Sequence, residues 1–297
     1  PFISSLKMIY PNIEIDIVCG LPYGVENVLS KSNLIKKTYW LPTNSSFIER
    51  VNFFRNLKKK KYMYIFIPFD SCPPFFLFYS FIFFRTSIFV GHINLHQKRF
   101  KSWLYELSKY IFFSNHKWTA TTIGRHEIDL NLDLLSLILK KPYVYNKNTI
   151  VSWEKLKLLP FEIPKKFIVV QPSAKNGLPS PKTWNPKNFI NLIKTFSSNY
   201  PEYKIVMVGD KGENVLDTKI RKLNNKIIDI TGKTNFNQLC NILYKSKLTI
   251  CHDSGIMHIA NALKGPLIAL YGPTDFSRTK PLSKKSKILF SKNKSFA

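Results

Sequence analysis

Apolar positions along this chain recur in two rhythms. Short runs of strand formers lie at Ile13–Cys19, Tyr39–Leu41, Tyr62–Ile67, Ser87–Gly91, Phe167–Gln171, Lys204–Gly209, Ile227–Ile230, Leu248–Cys251, Pro266–Tyr271 and Ile288–Phe290. Between them the spacing turns helical. Phe2, Leu6 and Ile9 share a face, as do Phe100, Leu104, Leu107 and Ile111, and Ile128, Leu132, Leu135 and Leu139. Helices are predicted at 25–30, 47–57, 75–84, 98–113, 122–140, 187–196, 212–223, 236–244 and 256–263. Strands and helices alternate throughout. This predicts the α/β class, with two Rossmann-like doubly wound domains facing a cleft. Residues 141–165 are rich in Pro, Tyr and Lys with little periodicity and read as a linker between domains 1–140 and 166–297.

Several stretches invite a different reading. The run Phe75–Phe84 is strongly apolar but spans only ten residues. That is well short of the ~20 a helix needs to cross a bilayer. It is expected as a buried helix, with an interfacial membrane contact as the lesser option. Glu14 and Asp16 are expected on one face of a strand, at a solvent-facing edge. His92 and His96 have i,i+4 spacing, yet no Glu follows the first His as in zinc proteases, so no metal site is predicted. Pro186 sits at a helix start behind the capping residue Asn185. Because 1–10 reads as a helix feeding a strand, a first strand and its loop are expected to precede Pro1.

Composition changes the picture in two ways. Cys19, Cys72, Cys240 and Cys251 show no CxxC spacing, so neither a zinc site nor a disulfide framework is indicated, and a reducing compartment is the simplest inference. The formal net charge is +27, from 45 Lys+Arg against 18 Asp+Glu. Such a balance favours polyanionic partners: nucleic acid, phosphorylated lipid or an anionic membrane face. The lysines are scattered, with one run at Lys58–Lys61, and no recognised nucleic-acid motif accompanies them.

The most informative stretch is LTICHDSGIMHIANALKGPLIALYGPTDFSRTKP, residues 248–281. It reads as strand, tight polar turn, helix, strand. Asp253, Ser254 and Gly255 fall at the strand-to-helix turn, and His258 follows one turn into the helix. A helix start there presents free N–H groups and a positive dipole end, which suits a phosphate. Asp or Ser at such a place also acts simply as a helix cap.

This stretch resembles the signature of glycosyltransferase family 9, the lipopolysaccharide heptosyltransferases. The resemblance rests on Asp253, Ser254, Gly255, His258, Ala260, Ala262, Pro266, Tyr271, Gly272, Pro273 and Thr274. Weaker matches are Tyr10-Pro11-Asn12, Ser173, and Lys182-Thr183-Trp184, with Asn185 inserted before Pro186. It implies a GT-B type enzyme with an acceptor-binding first domain and a nucleotide-sugar-binding second domain. Heptose would pass from a nucleotide sugar, most simply ADP-linked, to the lipopolysaccharide core, with inversion and without a metal or other cofactor. No Asp-x-Asp occurs in the chain, in keeping with that chemistry.

The resemblance also implies residue roles. Ser173, Lys182, Glu213, Thr234, Asp253, Ser254, Gly255 and His258 would bind the donor. Lys182 would also offset charge on the departing diphosphate. Glu213 would meet the ribose, and Thr234 the base. The catalytic Asp of the family lies in the first-strand loop, upstream of Pro1, so poor transfer is expected of this chain. The implied setting is cytoplasmic, peripheral at an anionic inner membrane face. A transferase for another sugar, a non-catalytic relative, and a basic nucleic-acid-binding protein are the competing readings.

Overall fold

A computed structural model describes residues 1–20, 32–68, 73–93, 116–120, 124–144, 163–172, 182–210 and 227–290. The chain divides into two units, Pro1–Val151 and Ser152–Ala297. In the first, α1 (Phe2–Ile9), β1 (Asp16–Cys19), β2 (Lys37–Trp40), α2 (Phe47–Lys58), β3 (Tyr64–Ile67), α3 (Pro74–Phe83), β4 (Ile88–Ile93), β5 (Lys117–Ala120) and α4 (Glu127–Leu139) follow in order. In the second come β6 (Phe167–Val170), α5 (Pro186–Asn199), β7 (Lys204–Met207), β8 (Ile227–Asp229), α6 (Phe236–Lys245), β9 (Thr249–His252), α7 (Gly255–Ala262), β10 (Leu267–Tyr271), α8 (Phe276–Thr279) and β11 (Ser286–Phe290). Every strand pair among the described residues is parallel. The α/β class expected from the alternation is what is found.

The second unit has one sheet, in the order β11-β10-β9-β6-β7-β8. Its direction of winding reverses between β6 and β9, the doubly wound arrangement. Both faces are covered. Phe167 and Val169 of β6 enter one core with Ile242 and Leu243 of α6 and Met257 and Ala260 of α7. Ile168 and Val170 enter the other with Phe189 and Ile193 of α5. A strand covered on both sides has no polar face to show, so it reads in sequence as an unbroken apolar run.

The first unit has β1 paired with β2, and a separate sheet in the order β3-β4-β5. β5 carries no strong apolar run and was not predicted; Trp118 within it stacks where β4 has Gly91. A Cβ on Gly91 would lie 2.6 Å from the Trp118 ring, so this glycine makes room for its neighbour. For the same reason β4 continues through Gly91 to Ile93 instead of stopping at the glycine.

Other boundaries moved for local reasons. α4 begins at Glu127, not Thr122, because Gly124 adopts φ +81° and the ring of His126 caps the helix by accepting from Ile128 N–H. Arg125 holds Asp133 through two nitrogens at 2.6 and 3.0 Å, so this segment acts structurally. Glu14 and Asp16 do not share a strand face. Glu14 precedes β1 and pairs with Lys36 at 2.6 Å in solvent, while Asp16 opens β1 and accepts from the Tyr62 hydroxyl at 2.5 Å. α3 is not buried all round: Leu77, Tyr79 and Ser80 face the core, but Phe78 and Ile82 face water. His92 lies within β4 and is buried. Asp70, Cys72, His96 and the helices expected at 25–30, 98–113 and 212–223 lie outside the described residues.

Candidate functional site

The carboxyl ends of β6 and β9 meet where the winding of the second sheet reverses, the place where open α/β sheets bind ligands. β9 is buried along all four residues, which leaves His252 as its last side chain inside the sheet and Asp253 as the first outside it. α7 starts two residues later. The short turn follows from Ser254, whose extended backbone (φ −152°, ψ 172°) is the usual conformation ahead of a first helical turn.

Neither Asp253 nor Ser254 caps α7, contrary to the simpler expectation. Ser254 makes no capping bond to the helix. Its hydroxyl donates instead to Oε1 of Gln171, just beyond β6, at 2.7 Å. The two strands that flank the crevice are thus tied across it, and the first-turn N–H groups of α7 are left without a side-chain cap. Gly255 is exposed, and among the described residues a Cβ built on it meets nothing within 4 Å. Among those residues the amino end of α7 is open, with a positive dipole end directed outward.

Asp253 serves another purpose. Its Oδ2 accepts from Lys182 Nζ at 3.3 Å, and its Oδ1 from the Thr279 hydroxyl of α8 at 3.2 Å. The carboxylate side chain is only 11% exposed, against 43% for Lys182. A bare carboxylate at a helix amino end would repel an anion. Here its charge is met from two sides, and it draws a mobile cation to the mouth of the crevice. The Thr279 hydroxyl also lies 3.3 Å from that of Tyr271, which donates to Met257 Sδ at 3.2 Å inside the core. Burial holds the Tyr271 phenol well above its ordinary range, and burial with the Asp253 charge does the same for the Cys251 thiol. Both stay protonated near neutrality, so neither supplies a nucleophile.

One residue escaped the sequence reading. His252 is fully buried, and its Nε2 accepts from the main-chain N–H of Trp184 at 2.9 Å. Its ring packs edge-on to Phe189 of α5, which in turn meets the Trp184 ring. His252 thereby fastens the segment carrying Lys182 to the end of β9. The available signal was a polar residue closing an otherwise apolar strand, directly before Asp253.

Of the other predicted positions, Thr234 lies just before the α6 cap Asn235, which forms a reciprocal capping pair with Gln238. His258 is exposed on α7, its main-chain N–H turned to Ser254 O at 3.4 Å. Ser173 and Glu213 lie outside the described residues. Among the described residues no group of three metal-ligating side chains is gathered.

Solved heptosyltransferases of Escherichia coli share the fold: the structure of heptosyltransferase WaaC with ADP (TM-score 0.71, 16% identity, covering all of this chain and 90% of that one) and ADP-heptose lps heptosyltransferase II (TM-score 0.69, 19% identity, 97% and 84%). The chain is therefore built on the α/β GT-B plan. The sequence model of glycosyltransferase family 9 (heptosyltransferase) matches residues 91–296, and the chain belongs to that family. A curated relative, lipooligosaccharide heptosyltransferase 2 of Haemophilus influenzae, is 26% identical over 308 residues, 96% of this chain and 82% of its own length.

Proposed function

We propose that this chain transfers heptose from an ADP-linked donor to a lipopolysaccharide-core acceptor, with inversion and without a metal. The observation that carries the reading is the uncapped amino end of α7 at the sheet's switch point, with Lys182 beside it. Membership of the heptosyltransferase family, and similarity to a lipooligosaccharide heptosyltransferase and to a heptosyltransferase solved with ADP, support this choice of sugar and acceptor.

In this reading residues 166–297 bind the donor, residues 141–165 link the domains, and residues 1–140 bind the acceptor. The donor diphosphate lies against the N–H groups of Gly255 and the residues after it. Lys182 leaves Asp253 to meet the phosphate as negative charge builds on it. These fixed and mobile positive charges would offset the charge of the departing diphosphate without a bound cation. The acceptor oxygen attacks the anomeric carbon from the far side. The bond to the diphosphate breaks, its electron pair departs with the phosphate, and a carboxylate base takes the acceptor proton. Ser173, Glu213, Thr234 and His258 complete the donor site around phosphate, ribose and base. The chain works in the cytoplasm, resting on the anionic inner membrane face where its acceptor is anchored.

Calorimetric titration with ADP, UDP and GDP, each with EDTA and then with magnesium, tests the donor half. ADP should bind tightest, with no requirement for magnesium. Preference for UDP, or binding only with magnesium, would overturn the assignment. Transfer from a panel of ADP-, UDP- and GDP-sugars to core oligosaccharide tests the sugar and acceptor.

A further inference from the structure

The first unit carries an apolar surface that no core absorbs. Phe47 and Ile48, in the first turn of α2, are 71% and 70% exposed; Phe78 and Ile82 of α3 are 61% and 38% exposed. The two pairs form one patch. The Phe47 ring lies 6.2 Å from that of buried Tyr79, and the Phe78 ring lies 5.6 Å from it, edge-on. Tyr79 in turn stacks on Phe54, which anchors α2 to α3. The exposed side chains are thus mounted on a rigid aromatic base.

Basic residues complete the surface. At helical spacing, exposed Ile48, Asn52, Arg55 and Lys59 run down one face of α2, apolar at one end and cationic at the other. Phe78 and Ile82 lead at the same spacing to Arg85, beyond the end of α3. Residues 47–61 and 73–86 hold seven Lys or Arg against Glu49 alone. That carboxylate is taken up by the Ser46 main-chain N–H at 2.6 Å and hydroxyl at 2.8 Å.

We infer that the α2–α3 surface of the first unit is the face by which this protein lies on an anionic lipid bilayer, with Phe47, Ile48, Phe78 and Ile82 entering the headgroup boundary. The inference rests on the peripheral membrane reading above and names the surface responsible for it. Exposed apolar side chains beside cations match an interface whose outer layer is negative and whose depth is apolar. Among the described residues no helix is long and apolar enough to cross a membrane. A fluid bilayer supplies negative charge and an apolar depth over the whole patch without needing a fitted shape.

Vesicle sedimentation tests this with the wild type, F47S/I48S/F78S/I82S, and R55Q/K58Q/K59Q. The wild type should bind vesicles containing phosphatidylglycerol, ignore pure phosphatidylcholine, and weaken as salt is raised. Each lost cation should lower binding about fivefold, so the triple variant loses about a hundredfold. The apolar variant should lose about tenfold or more. ADP affinity should be unchanged in both, which checks their folding. If the wild type ignores anionic vesicles, the peripheral reading itself fails, and this surface with it. If the wild type binds and both variants bind equally well, only the assignment to this surface fails. Should the apolar variant not fold, F78W decides: brominated lipids should quench its added fluorescence, and absence of quenching overturns the inference.

Discussion

On the function proposed above, Lys182 passes from Asp253 to the donor phosphate, and replacing it with Gln removes that contact. In the free protein its ammonium lies 3.3 Å from Asp253, with 43% of the side chain exposed. A bridge that long and that wet is worth only about 0.2–1 kcal/mol. A hydrogen bond from the same ammonium to a diphosphate oxygen is worth about 1.5–3 kcal/mol. The ligand must first displace Asp253, so the net loss in K182Q is about 1–2 kcal/mol, or about 5–30-fold in ADP affinity. Stability should hardly change, since a lost bridge below about 1 kcal/mol moves the melting temperature by no more than about 4 °C. Titration calorimetry at constant low salt measures the first and thermal melting the second. In transfer assays the loss should be larger, about 100- to 1,000-fold in kcat, because leaving-group charge is greatest in the transition state. K182Q binding ADP like the wild type, with an unchanged melt, would refute the role. In the double variant K182Q/D253N the ADP deficit should be smaller than in K182Q, since the unpaired Asp253 carboxylate that would repel the phosphate is neutralised as well.

The other predictions concern single atoms. Gly255→Ala places a methyl in open space, so stability should hold or rise, yet ADP binding should fall about tenfold or more in calorimetry if that space takes the phosphate. His252→Leu leaves the Trp184 N–H without its acceptor and should cost about 1–3 kcal/mol in urea unfolding. Gly91→Ala drives a methyl into the Trp118 ring and should cost about 1–3 kcal/mol by the same assay. His116 Nδ1 accepts from Phe89 N–H, and burial lowers its pKa from the ordinary 6.5. The unfolded chain therefore takes up a proton near pH 6.5 that the folded chain refuses, and stability falls as pH drops below that value. H116Q keeps an acceptor without the charge, so its urea midpoint should fall less than that of the wild type between about pH 7.5 and 5.5.

How much of this was legible beforehand depends on the element. β6 and β9 announced themselves because strands covered on both faces read as nearly continuous apolar runs. α5 was readable from Asn185 and Pro186, which begin a helix by chemistry that acts within a few residues; the structure shows Asn185 accepting from Lys187 N–H. β5 was not readable, because its place in the sheet depends on a glycine in another strand. α3 was misjudged because ten apolar residues look alike in sequence whether one face is covered or all are. The site divided in the same way. Asp253, Ser254 and Gly255 stood out as a motif, but not what each one does. A cap was the local expectation for Asp253 and Ser254; contacts at sequence separations of 71 and 83 residues overrode it.

Sequence alone determined the α/β class, the order of most elements, the family, and the stretch that carries the site, since all of these rest on periodicity and on short-range turn chemistry. Tertiary structure alone decided that Ser254 ties to Gln171, that Asp253 holds Lys182 and Thr279, that His252 fastens the Lys182 segment, and that the first turn of α7 stays open. A side chain's hydrogen bonds go to whatever folding brings within about 3 Å, and no local pattern records which distant strand that will be.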